Sequence, residues 1–362
     1  MLAKLPVMLG VVALFGAVAY ADDDPPSTAP GNTAPIADPA PPPLRRAPTG
    51  TFEIGVGYAT DDGFGATASV TQSDLFGTGK LLSLDAMIDE REQRFVTRFV
   101  DPELFGSGFQ LDARLVTDDK HLDAFTRQSA GINLELSHLV GPHTKWYVGY
   151  RVEHVTDAAD APDGSFASDA ALAGAGEYDV AAIRIGTEYN TLDQPFFATR
   201  GSRVGSMLEV AAPGLGSDVA FVHTKAYAET HQRIGAFFLH LSGSTETVSG
   251  NNVPIGEQLY FDGSSQIRGY APNAVGPAFG TAGATASFFG RAELELPVVR
   301  RIGLSVTGFA DGGGLANVNG GELAASTGFG LVWRSPIGPI GAYWAWTADH
   351  GPAFVFGAGA HF

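Results

Sequence analysis

GFQLDARLV, residues 108–116, alternates without a break: Phe109, Leu111, Ala113 and Leu115 take one face of an extended chain, and Gln110, Asp112 and Arg114 the other. Successive side chains of a strand point to opposite sides, so this segment has one apolar and one charged face. The pattern recurs along the chain. Ile132, Leu134 and Leu136 oppose Asn133, Glu135 and Ser137, and in FGRAELEL (289–296) Ala292, Leu294 and Leu296 oppose Arg291, Glu293 and Glu295.

Such segments are about ten residues long and separated by Gly, Asp, Asn and Pro, the signature of a membrane barrel. A soluble sandwich alternates as well. The number of segments, the secretory start and the aromatic end of the chain favour the barrel. Reading the segments in order predicts about sixteen strands, near 51–59, 65–73, 80–90, 92–101, 108–118, 125–139, 144–157, 178–190, 202–212, 217–231, 234–247, 284–298, 302–312, 324–334, 340–348 and 353–362. The fold class is all-β, a transmembrane antiparallel β-barrel. Residues 76–79, 105–108 and 336–339 read as short turns on one side of the membrane, and 158–177 and 248–283 as long loops on the other.

Ahead of the barrel, Lys4, the apolar run Leu5 to Val18 and Ala19-Tyr20-Ala21 read as a cleaved secretory signal peptide, residues 1–21. The run is short of the ~20 residues a spanning helix needs. Residues 22–48, dense in Pro, Ala and Asp, read as a disordered linker, and 49–362 as one barrel domain. The chain has no cysteine, so only the signal peptide speaks for export. A net charge of −17 argues against a nucleic-acid partner, which requires a basic face.

One stretch fits neither strand nor ordinary loop. GSSQIRGY, residues 263–270, lies in the longest Gly/Pro/Asn-rich segment and carries Arg268, whose rigid donor fork suits clamping a loop onto a carboxylate. Gly269 permits a backbone conformation that other residues resist. The candidate partner is Asp311, with Phe309 and Gly313 beside it in FADGG.

Taken with DLFGTGK (74–80), PFFATRGS (195–202), GSSQIRGYAPNAVGP (263–277) and VWRSPIGPIGAYWAW (332–346), in that order, the chain resembles the BamA/TamA family of outer-membrane assembly factors, the bacterial surface antigen superfamily. The resemblance covers nearly all of 51–362. It implies that Arg268, Gly269 and Tyr270 sit on a loop folded into the lumen and meet Phe309, Asp311 and Gly313 on the barrel wall. Ile267 stands where the family usually has valine. It also implies a bacterial outer-membrane location, with outer-membrane lipids, client outer-membrane proteins or a periplasmic partner as interactors; a homo-oligomer is left open. The 27 residues of 22–48 are too few for the periplasmic POTRA modules that such proteins usually carry.

The last strand puts Phe354, Phe356, Ala358, Ala360 and Phe362 on one face, as outer-membrane targeting strands do, and the first puts Phe52, Ile54, Val56 and Tyr58 outward. Closing one on the other leaves Gly55, Gly57, Gly357 and Gly359 inward, a glycine-rich seam. Gly55 and Gly357 are the pair expected to lie across it if the register permits.

Catalytic signals are scarce. No nucleophile elbow, zincin helix motif or phosphate loop occurs, so the expectation is no enzyme, no cofactor and no metal. His240 and Ser242 share a strand face, a weak echo of the His-x-Ser element of outer-membrane phospholipases. His223, Lys225, Tyr227, Glu229 and His231 read as lining a wet lumen, and Trp344 and Trp346, with Tyr343 nearby, as an interfacial girdle. The function expected is protein assembly, or protein or lipid translocation, at the outer membrane; the alternative is a passive channel or structural barrel.

Overall fold

The computed structural model describes residues 49–122, 125–159, 176–194, 198–276, 283–335 and 338–358. The signal peptide and linker expected over 1–48, and the seam and targeting residues Gly359 and Phe362, lie outside these residues.

Sixteen antiparallel strands close on themselves, each hydrogen-bonded to its sequence neighbours and the last to the first. They are β1 (Gly50–Ala59), β2 (Gly63–Leu75), β3 (Lys80–Ile88), β4 (Glu92–Asp101), β5 (Phe109–Leu122), β6 (Phe125–Val140), β7 (Thr144–Ala159), β8 (Gly176–Asn190), β9 (Gly201–Ala211), β10 (Phe221–Ile234), β11 (Phe237–Gly250), β12 (Ala286–Val299), β13 (Leu304–Asn317), β14 (Gly320–Ser335), β15 (Gly338–Thr347) and β16 (Gly351–Ala358). In a bilayer every backbone N–H and C=O needs an internal partner, and a closed sheet supplies one without helices.

The alternation that predicted the strands also sets their two faces. Apolar side chains look outward and are exposed, among them Ile54, Leu115, Leu134, Val148, Leu294, Phe329 and Phe354. Their strand neighbours look inward, and beside Leu115, Leu134 and Leu294 these include Arg114, Glu135, Glu293 and Glu295. Asp112, in GFQLDARLV, is buried inside the barrel, where Arg98 reaches it at 2.6 Å and Arg114 at 2.7 Å. Trp344 and Trp346 face outward, as a girdle requires, but Tyr343 faces inward and is buried, so it is not part of that girdle.

Because strand direction alternates, the connections fall at two ends. Those at 76–79, 102–108, 141–143 and 235–236 lie at the end where β1 begins; the long connection 251–285 lies at the other. Gly338 and Pro339, expected in a turn, already belong to β15, and β7 and β11 run on to Ala159 and Gly250, past the expected loop starts at 158 and 248. In each case the ladder simply continues while the partner strand still offers hydrogen-bonding groups.

Candidate functional site

The connection 251–285 brings Arg268 against the inner faces of β12, β13 and β15. Its guanidinium grips Asp311 with both oxygens engaged: Nε donates to Oδ2 at 2.8 Å and Nη2 to Oδ1 at 2.9 Å, while the Arg268 backbone N–H donates to Oδ2 at 3.1 Å. Nη1 donates to Glu293 at 2.6 Å. The planar group also lies over the ring of Phe309, 3.6 Å from its centroid, and 4.8 Å from that of Tyr343. Arg268 is 4% exposed and the Asp311 side chain not at all, so these are desolvated, charge-assisted bonds with cation–π stacking added.

Two glycines make the fit. Gly269 has φ +94°, and a Cβ there would come within 2.9 Å of the Ala345 methyl and 3.0 Å of Thr347. At Gly313 a Cβ would meet the Phe288 carbonyl oxygen at 2.3 Å. Tyr270 follows with its hydroxyl donating to Asp349 at 3.0 Å, and its ring is buried with Phe261, Ile267, Val275 and Leu315.

Several members of this cluster were not anticipated in these roles. Arg291 lies 3.3 Å from Asp311 and donates to the Ser265 carbonyl at 3.0 Å, so two guanidinium groups face the two carboxylates of Asp311 and Glu293. Arg291 and Glu293 were visible in FGRAELEL on the polar face of a strand, but their partners were not. A second cluster was missed altogether. Glu257, on the same loop, accepts from Arg127 at 2.8 Å and from Arg151 at 2.9 Å, on β6 and β7. Arg151 also reaches Glu209 at 2.9 Å and Glu153 at 2.7 Å. The one weak signal was a lone acidic residue in an otherwise uncharged stretch, Val253 to Phe261.

At the seam, Tyr58 lies opposite Ala358 and Ala59 opposite Gly357. Gly55 is therefore not the partner of Gly357: the antiparallel offset places it four residues further down β1. Gly55, Gly57, Ala59 and Gly357 do look inward, and Phe354 and Phe356 lie on the opposite face of β16 from Gly357. Thr60 extends the contact past the strand end, its N–H donating to the Phe356 carbonyl at 3.0 Å and its hydroxyl accepting from the Phe356 N–H at 2.8 Å. The loop touches both sides of this closure. The Ser264 N–H donates to Asp61, in the turn after β1, and Tyr270 holds Asp349, in the turn before β16. Beside the Asp61 contact lies a cavity of about 210 Å³ lined by Thr60, Asp61, Ser264, Arg268, Tyr343 and Val355.

Residues 74–362 match the Omp85 superfamily domain. The chain belongs to the Omp85 superfamily. It is 24% identical over 316 residues to the outer membrane protein assembly factor BamA of Nitratidesulfovibrio vulgaris, covering 84% of this chain and 40% of that protein. With the BamA of Neisseria meningitidis it shares 25% identity over 374 aligned residues, 82% of this chain and 44% of the relative. This Omp85 chain thus spans less than half the length of these two relatives. Among solved structures, BamA from Haemophilus ducreyi lacking POTRA domains 1–3 superposes with a TM-score of 0.75 at 19% identity, over 87% of this chain and 71% of that one. CdiB from Acinetobacter baumannii gives a TM-score of 0.57 at 11% identity, over 86% and 59%. The barrel is thus of the outer-membrane Omp85 type, and the likenesses to solved structures carry its fold.

Proposed function

We propose that this Omp85 barrel acts at the bacterial outer membrane in protein assembly or in the translocation of protein or lipid, without an enzymatic step. Its working parts are the loop anchored by Arg268 on Asp311 and the seam between β1 and β16. Clients are outer-membrane proteins or lipids, delivered with or without a periplasmic partner. The observation that carries the reading is the position of the anchored loop beside the closure, with Ser264 and Tyr270 bonded to the turns on either side of it. The descriptions of the BamA relatives as outer membrane protein assembly factors support the same reading.

His240 and Ser242, which share a strand face, are not joined as a pair. The His240 ring nitrogens engage His231 and Glu295, and among the described residues no hydrogen bond joins it to Ser242.

The test is a staple across the seam at the true register, Ala59→Cys with Gly357→Cys, in a chain that has no other cysteine. Lateral opening parts the ladder hydrogen bonds between the strands, which a disulfide prevents, whereas conduction through the lumen needs no separation. Insertion of an outer-membrane client into liposomes is expected to stop on oxidation and return on reduction, with conductance unchanged. Insertion indifferent to oxidation would leave a passive pore.

A further inference from the structure

His231 and His240 face each other directly across the β10–β11 hairpin, on the inner wall near the turn at 235–236. Their Nδ1 atoms are 2.5 Å apart. The other nitrogen of each ring is engaged by an acid: Nε2 of His231 lies 3.4 Å from Glu229, and Nε2 of His240 lies 3.2 Å from Glu295. An ionised carboxylate only accepts hydrogen bonds, so each contact draws the proton of a neutral imidazole to Nε2. Both Nδ1 atoms are then bare, and their lone pairs point at one another. Two lone pairs at this separation repel, and a cation between them turns the repulsion into two bonds.

The surroundings supply what such a cation needs. A carboxylate on the far nitrogen is the usual partner of a metal-binding histidine, fixing its tautomer and raising its basicity. Each carboxylate is itself balanced, Glu229 by Arg203 at 2.7 Å and Glu295 by Arg334 at 2.6 Å. The row Arg203–Glu229–His231–His240–Glu295–Arg334 is therefore neutral before a cation enters. A divalent ion at metal–nitrogen distances of about 2.0–2.1 Å in tetrahedral geometry asks for nitrogens about 3.3 Å apart, so the rings must part by less than about 1 Å. Both are 17–18% exposed to the lumen, on the open side where that movement takes place.

We infer that His231 and His240 bind one divalent transition-metal ion of the Zn²⁺, Ni²⁺ or Cu²⁺ class through their Nδ1 atoms, water completing the shell. Imidazole nitrogen suits these ions, and hard Ca²⁺ and Mg²⁺ prefer oxygen. With two protein ligands, the site is consistent with the lack of any three-ligand cluster among the described residues. Bound there, the ion clips β10 to β11 at the end of the barrel where the chain enters. This goes beyond the assembly reading and does not depend on it.

The experiment uses the full chain in detergent without an oligohistidine tag, dialysed against Zn²⁺ and separately against Ni²⁺, with binding followed by calorimetry and folding checked by heat-dependent gel mobility. One ion per chain is expected. His231→Ala and His240→Ala each lower the affinity at least ~10-fold, and Glu229→Gln with Glu295→Gln lowers it ~10–100-fold while leaving the ligands in place. His223→Ala, which removes the Glu246-bound histidine further along β10, leaves it unchanged. The inference is overturned if the folded parent takes up no ion at millimolar concentration, in which case the rings share only a proton, or if a folded His240→Ala variant binds as the parent does.

Discussion

The wall formed by β6 and β7 and the closure formed by β1 and β16 solve the same problem differently. β6 and β7 pair continuously from Phe125 opposite Ala159 to Val140 opposite Thr144, and their inward side chains Arg127 and Arg151 are knitted to Glu153, Glu209 and Glu257. At the closure, the described strand register is Tyr58 on Ala358 and Ala59 on Gly357, and the residues looking inward there have little or no side chain to bond. Backbone pairing is obligatory everywhere in lipid, but side-chain cross-bracing is not. At the wall the strands brace each other. The loop from 251 to 285 is held on that wall by Glu257 and supports the closure from inside through Ser264 and Tyr270.

The contrast breaks most visibly at the wall. Arg151→Ala removes the guanidinium shared by Glu153, Glu209 and Glu257 and leaves three acids facing Arg127 and Arg184 alone. Breaking a buried pair costs about 3–5 kcal/mol, and lumen water lowers that. This variant is expected to lower the midpoint of heat-dependent gel mobility further than any single substitution in the loop or at the closure. A midpoint equal to the parent's would mean that the charge network braces nothing.

Arg268→Ala comes next, and its effect falls on the loop. The barrel keeps its backbone ladder, so its unfolding midpoint moves less than for Arg151→Ala, while single-channel conductance rises as 261–276 lose their anchor. Asp311→Ala should be the milder of the pair, because Glu293 still accepts from Arg268. If both variants conduct as the parent does, the anchor does not set the loop's position.

Much of the barrel was legible because alternation is a local property: each strand of GFQLDARLV type carries its own inside and outside. Strand ends were less so. β10 was expected over 217–231 and is found at Phe221–Ile234, since residues 216–220 still turn, with the Ser217 N–H donating to Ala212 and the Asp218 N–H to Asp179, before the ladder begins at Phe221 opposite Ala211, and no local periodicity records that. At the site, Arg268 and Asp311 stood out through their motifs, and the structure brings them together. Glu257 did not, because its partners Arg127 and Arg151 lie more than a hundred residues away and belong to strands whose polar faces look alike in sequence. The Gly55–Gly357 pairing failed for a related reason. Side-chain direction has a period of two and shows in the sequence, but register between the first and last strands is set only when the whole sheet closes.

A smaller effect sharpens the closure itself. Thr60→Val removes the hydroxyl that both donates to the Phe356 carbonyl and accepts from its N–H. A hydrogen bond contributes about 0.5–1.5 kcal/mol net, so global stability should barely move. Amide exchange at Phe356 should quicken while that of β6 and β7 stays as slow as in the parent; equal exchange at Phe356 in both proteins would show that Thr60 carries no part of the closure.

The smallest effect is a matter of pH. Asp61 lies in the turn after β1, outside the membrane-spanning strands, and accepts the Ser264 N–H. Burial pushes its pKa above the ordinary 3.8, with Asp262 adding to the rise and the Ser264 bonds and Arg91 opposing it. Asp62 beside it is raised too, by burial and by Asp262 and Asp89. A carboxyl whose pKa is higher in the folded state holds its proton more tightly there, so its contribution to stability is most favourable below 3.8 and declines as pH rises from 3.8 through the raised value. Asp61→Asn removes that titration and keeps an oxygen to accept from Ser264. Parent and variant should therefore differ in the pH dependence of Ser264 amide protection: protection in the parent weakens as pH climbs out of the acid range, and in the variant it weakens less. The slope is measured by exchange at a series of pH values after correction for the intrinsic rate. A variant whose protection falls more steeply than the parent's would reverse the sign and place the charged form of Asp61, rather than the neutral one, as the better partner of the loop.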